Sequence, residues 1–140
     1  LTFEELMALF EAFNIDLSKC SNEDINDGSI FGRGFGASGG LAKSVQNYIA
    51  EKGLSFDFEP IKVSGPRQIK KTMTMAKLGR LEGNFIEGMM CEGGCINGSG
   101  KFLSGAKVKA TFDRKNSQST KKSVLANTKI KDFSNINLEK

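Results

Sequence analysis

The sequence has no histidine. That removes nucleophile triads built on His, mixed Cys/His zinc sites and haem held by His. It has no apolar run near the ~18 residues that span a bilayer, and no stretch reads as a signal peptide. Cysteine is scarce, with three in 140 residues. An odd number this small does not make a disulfide framework. Two of the three fall in one glycine-rich stretch, which points to a reducing, cytoplasmic compartment and to metal or redox use.

What is present fits a globular chain of one domain or a piece of one, with 39% apolar and 26% charged residues. The chain opens at Leu1 and runs directly into a helix signal, as expected of a piece of something larger. Charge is uneven. Residues 1–100 carry 10 Lys/Arg against 13 Asp/Glu, a net −3, and residues 101–140 carry 10 against 3, a net +7. Residues 101–140 hold only three aromatics, Phe102, Phe112 and Phe133, and no nucleic-acid-binding motif. It reads as a solvated terminal helix, or as an arm on another part of a parent protein, rather than as a nucleic-acid site.

Thr2-x-x-Glu5 is a capping box, and Phe3, Leu6, Met7, Phe10 and Phe13 follow at helical spacing, so a helix with one apolar face runs to about Asn14. Residues 18–29 are a polar loop, in which Cys20 is an incidental thiol. Residues 30–40 form a glycine turn, and Leu41 to Ala50 a helix stopped by Gly53. The N-terminus of that helix collects free amides, a good place for an anion or a metal-bound ligand. Gly34-x-Gly36-x-x-Gly39 matches the dinucleotide fingerprint formally, with Asp57 or Glu59 near the ribose position, but only Ile30 and Phe31 precede it where a strand is needed. Phe56 to Val63 alternates as a strand. Pro66 suits the start of a helix running from Arg67 to Leu81, closed by Gly79 and Gly83. Asn84 to Met89 is a short buried strand. Residues 105–122 form a basic helix, and 123–140 are irregular. The order implies an α/β fold, a small and mostly parallel sheet flanked by helices, with a ligand beyond the carboxyl ends of the strands.

That end is residues 84–100, where Cys91 and Cys95 sit among Gly88, Gly93, Gly94, Gly98 and Gly100. Two thiolates without histidine complete neither a tetrahedral zinc site nor a four-thiolate iron–sulfur cluster. The glycines let backbone amides approach sulfides and leave room for a bulky inorganic group, and Met89 adds a polarisable side chain. A partial cluster site, a redox dithiol and a purely structural glycine loop all remain open on these grounds.

Glu87-Gly-Met89-Met-Cys91-Glu-Gly93-Gly94-Cys95, followed by Gly98 and Gly100, resembles the third cluster motif of the iron-only (FeFe) hydrogenases, Glu-x-Met-x-Cys-x-Gly-Gly-Cys with further glycines. Phe35-Gly-Ala-Ser-Gly-Gly40 and its helix resemble that family's Gly-Ala-Thr-Gly-Gly turn, and the opening helix with Asn14-Ile15-Asp16 resembles the segment before it. The resemblance covers residues 1–103, the C-terminal portion of the catalytic H-cluster domain, and leaves 104–140 as a basic tail. The glycine run Gly98-Ser99-Gly100-Lys101-Phe102 replaces the usual Gly-Gly-Gly-x-Pro, and the segment from Gly53 to Phe85 is short, as in divergent, sensory branches.

The resemblance implies a larger two-lobed catalytic domain that reversibly reduces protons to dihydrogen at an H-cluster, a four-iron cubane bridged to a two-iron unit. Cys91 would ligate the cubane. Cys95 would ligate it and bridge to the two-iron unit. Met89 would pack against that unit, and Gly36, Ala37, Ser38 and Gly39 would line the cofactor cavity. The partners implied are the remainder of the catalytic domain, which supplies the other cysteines, and a ferredoxin-like electron carrier. Alone, the chain would be cluster-free and inactive. The alternatives are a non-catalytic iron–sulfur sensor or electron-transfer relative, and a dinucleotide-binding module.

Overall fold

A computed structural model describes residues 1–23, 28–103 and 105–127. Its first helix, α1 (Phe3–Ala12), begins where the capping box places it. The Thr2 hydroxyl accepts from the Glu5 amide at 3.2 Å, and the Thr2 amide donates to the Glu5 carboxylate at 2.7 Å. Asn14 turns the chain out of the helix at φ 52°, a left-handed conformation that Asn tolerates. The apolar stripe forms, yet no α1 residue is buried. Phe3 is 64% exposed and Phe13 69%.

Ser29 caps a short helix, α2 (Ile30–Arg33), accepting from the Gly32 amide at 3.1 Å. A 3-10 turn, Gly34–Gly36, leads through Gly39 into α3 (Gly40–Lys52), which Gly53 ends at φ 61° as expected. Ile30 and Phe31 are therefore helical. The dinucleotide fingerprint lacks the strand that must feed it, and that reading is set aside.

The first strand, β1 (Pro60–Ser64), is shorter than the alternation from Phe56 implies. The Asn84 side chain explains this. Its amide donates to Asp57 O at 2.7 Å, and its oxygen accepts from the Glu59 amide at 3.0 Å. The backbone ahead of Pro60 is thus held by this side chain together with the Asn84 amide, which donates to Glu59 O at 3.0 Å. Helix α4 (Pro66–Lys77) starts on Pro66 as expected but stops short of Leu81. Gly79 takes φ 65°, its amide donates to Ala76 O at 3.0 Å, and Arg80 donates to Met75 O at 3.0 Å. That pair of bonds is a Schellman stop.

After α4 the chain enters β2 (Phe85–Met89), which pairs parallel with β1 from Pro60↔Phe85 to Ser64↔Met89. A parallel pair needs a crossover, and α4 is that crossover. The fold is α/β, with a small open parallel sheet flanked by helices. Among the described residues the buried apolar ones are Phe31, Ala42 and Val63, from α2, α3 and β1.

The basic segment packs back on the fold, although no residue of its helix is buried. Helix α5 (Gly105–Ser117) packs on α2 and on the 3-10 turn Cys95–Asn97. Asn116 Nδ2 donates to Ile30 O at 2.9 Å, Ser119 Oγ donates to Gly28 O at 3.1 Å, and Lys121 O accepts from the Ile30 amide at 3.0 Å. The expectations for residues 24–27, 104 and 128–140 lie outside the described residues. No helix among the described residues is long and apolar enough to cross a membrane.

Glu51, on the last turn of α3, fastens the end of this segment. It accepts from Ser123 Oγ at 2.7 Å and from the Val124 and Leu125 amides at 2.9 and 3.1 Å. The Ser123 hydrogen bond, with the two amides, holds the Glu51 carboxyl below its ordinary value of 4.5. A group depressed on folding stabilises the folded state above its unfolded value, and that contribution is lost as pH falls through the folded value. Docking of residues 123–125 should therefore hold at neutral pH and loosen as pH falls below 4.5. Amide chemical shifts of Val124 and Leu125 should follow that transition, and Glu51→Gln should remove it.

Candidate functional site

Strand β2 ends at Met89 and delivers the chain to Cys91. The loop that follows is tied to itself. The Gly94 amide donates to Cys91 O at 3.0 Å, Gly98 to Cys95 O at 3.0 Å, and Asn97 Nδ2 to Glu92 O at 2.9 Å. It is also tied to the end of β1, because the Gly93 amide donates to Ser64 Oγ at 3.2 Å. Cys91 is half-buried and Cys95 exposed, and neither is in a disulfide. Met89 is half-buried. Cys20, also free, lies apart with its thiol 3.5 Å from Asp16 O.

The glycine turn meets this loop backbone to backbone. The Ser38 amide donates to Gly93 O at 3.0 Å. A Cβ on Gly94 would sit 2.6 Å from both Gly36 O and Ser38 N and 2.9 Å from Ala37 C, so only glycine fits. Gly94 also holds φ 106°. Gly36, Ala37, Ser38 and the cysteine loop are thus one structural unit, though 56 positions separate Ser38 from Gly94 in sequence. From the far side Phe112 of α5 and Ile96 crowd Gly36, at 3.3 and 3.2 Å from where its Cβ would be.

The N-terminus of α3 is not open to a ligand in the way the sequence implies. Glu87 reaches it from the middle of β2. One carboxylate oxygen accepts from the Gly39 amide at 2.8 Å and the other from the Ala42 amide at 2.8 Å. The side chain is only 3% exposed. The helix amides therefore have an anion from within the chain. Lys62, the register partner of Glu87 on β1, lays its stem over Gly39. Sequence reasoning placed Glu87 in the motif without seeing this role. The available signal was a lone carboxylate inside an otherwise apolar strand, which needs a buried partner.

A cavity of about 270 Å³ lies against the turn, walled by Ala37, Ser38, Gly39, Lys43, Lys62 and Asn116 among others. Cys91 and Cys95 are not in its wall. Among the described residues no three His, Cys, Asp or Glu side chains are grouped to hold a metal ion. The donor set is thus two thiols in a glycine-rich loop, with Gly93 exposed and Gly94 buried against the turn. In kind it suits an iron–sulfur group, which is held by Cys thiolates close to main-chain amides. In number it reaches half of the four that a cubane requires.

A family model for the iron only hydrogenase large subunit, C-terminal domain, matches residues 1–99. The chain belongs to that family. No curated protein matches it. The hydrogenase match takes in α1, the glycine turn, both strands and the cysteine loop, and it ends before α5. The segment that braces the turn from behind therefore lies beyond the part matched.

Proposed function

We propose that this chain is part of an iron-only hydrogenase, residues 1–103 forming one wall of the H-cluster site. The observation that carries this reading is the backbone seam between the glycine turn and the cysteine loop, Ser38 to Gly93 with Gly94 against Gly36, in a chain of that family. In this reading Cys91 and Cys95 would hold the cluster, Cys95 being the thiolate its two-iron unit also depends on. Met89 would pack on that unit, and Gly36, Ala37, Ser38 and Gly39 would line the cofactor site. The bound cluster supplies reversible conversion of two protons and two electrons to dihydrogen.

The chain's own residues hold and shape. Two thiolates come from a loop whose backbone is fixed at both ends. The glycines let main chain approach the group more closely than any side chain would. The remaining cysteines come from the rest of the catalytic domain, whose seam with this chain includes the uncovered apolar face of α1, since Phe3, Met7 and Phe13 are exposed. A ferredoxin-like protein supplies electrons, and the free thiols suit the cytoplasm. The intact large subunit, loaded with cluster, should evolve hydrogen from reduced viologen, whereas the 140-residue chain alone should not. Carbonyl and cyanide infrared bands without hydrogen evolution would favour the sensor reading, to which Lys101-Phe102 after the glycines also points.

A further inference from the structure

We propose that Glu87 is a positioning residue: its buried carboxylate locks the glycine turn to the strand that carries the cysteines. What the positioned thiolates hold rests on the hydrogenase reading, but the clamp itself does not. Glu87 lies two residues before Met89 and four before Cys91. Its carboxylate holds Gly39 and Ala42. The residue before Gly39, Ser38, donates to Gly93 O. The chain then runs from Gly93 back through Cys91 and Met89 to Glu87. This is a closed ring with two non-covalent fastenings, one at Gly39 and one at Gly93. Cys91 lies on the covalent arc between them, so its position relative to the turn is set by both.

The first fastening requires a carboxylate. Two amide donors each meet a different oxygen, and charge-assisted bonds of this kind are the stronger ones. Gln in its place has one oxygen and one amino group, so one backbone N–H would face another donor. Asp keeps the charge but is a methylene short of the reach. The helix terminus adds its own attraction for a negative group, and Lys62, the register partner of Glu87, lies over Gly39 with both its stem and its ammonium.

The test uses the 140-residue chain without any cluster. In the wild-type chain the Gly39 and Ala42 amides should exchange with solvent far more slowly than exposed loop amides. Glu87→Gln should speed their exchange about tenfold and raise the alkylation rate of Cys91 by iodoacetamide about tenfold, with α4 amides unchanged, because the opening is local. Glu87→Asp should fall between the two. Unchanged Cys91 alkylation would overturn the proposal, as would an equal loss of protection throughout α4, the mark of general destabilisation. If Glu87→Gln does not fold, wild-type exchange decides: slow exchange at Gly39 and Ala42 supports the clamp and fast exchange overturns it. A failed clamp leaves hydrogen evolution by the loaded subunit unaffected as a test, and a loaded subunit without activity leaves the clamp standing.

Discussion

Gly94→Ala should destabilise the chain by about 3 kcal/mol or more, a large share of a small domain's stability. Part of that is backbone strain, since Gly94 holds φ 106°, where a side chain costs about 1–3 kcal/mol. The rest is collision. The new Cβ would lie 2.6 Å from Gly36 O and Ser38 N, and these are main-chain atoms that cannot swing aside. Relief requires the glycine turn to move off the cysteine loop, breaking the Ser38–Gly93 bond. Gly93→Ala is the control. It shares the positive φ, at 83°, but its Cβ would meet nothing within 4 Å. It should cost about 1 kcal/mol, from strain alone. Urea unfolding of both variants at unchanged slope measures the difference. Equal costs would mean that the turn and the loop are not in contact.

Cys91→Ala in the intact large subunit should remove bound iron and sulfide almost completely and lower hydrogen evolution by about a thousandfold or more, since a lost thiolate ligand has no substitute nearby. Among the described residues no three Cys, His, Asp or Glu side chains are grouped to hold a metal ion in its place. Cys20→Ala should leave iron content and activity intact. Cys20 is exposed, and its thiol meets Asp16 O rather than the cysteine loop. Iron and acid-labile sulfide per chain, measured on the three proteins, separate ligand from bystander.

The parts of this architecture written in neighbouring residues were legible. Thr2 and Glu5 start α1, Gly53 ends α3 and Pro66 starts α4 because caps and stops act over one turn. The parts set by distant residues were not. Asn84 ends the strand pattern at Pro60 by reaching across to Asp57 and Glu59. Ile30, in a stretch whose apolar side chains alone allow either state, is held by Lys121 O and Asn116 from far along the chain. Asn116, Ser119 and Glu51 dock a basic tail whose composition reads as solvated.

The candidate site divides in the same way. The spacing of Cys91, Gly93, Gly94 and Cys95 marked the loop, and ligand counting marked it as incomplete. That Gly36, Ala37 and Ser38 press on Gly94, and that Glu87 occupies the amides of α3, are contacts between segments some fifty residues apart. No periodicity encodes them.

If Cys91 and Cys95 are half of an iron–sulfur ligand set, with Cys95 the thiolate on which the two-iron unit depends, removing Cys95 removes that unit. Infrared spectroscopy of the cluster-loaded large subunit tests it most directly, comparing the unaltered protein with Cys95→Ala. Bands of bound carbonyl and cyanide are expected in the first and none in the second. Bands of equal strength in both would contradict it.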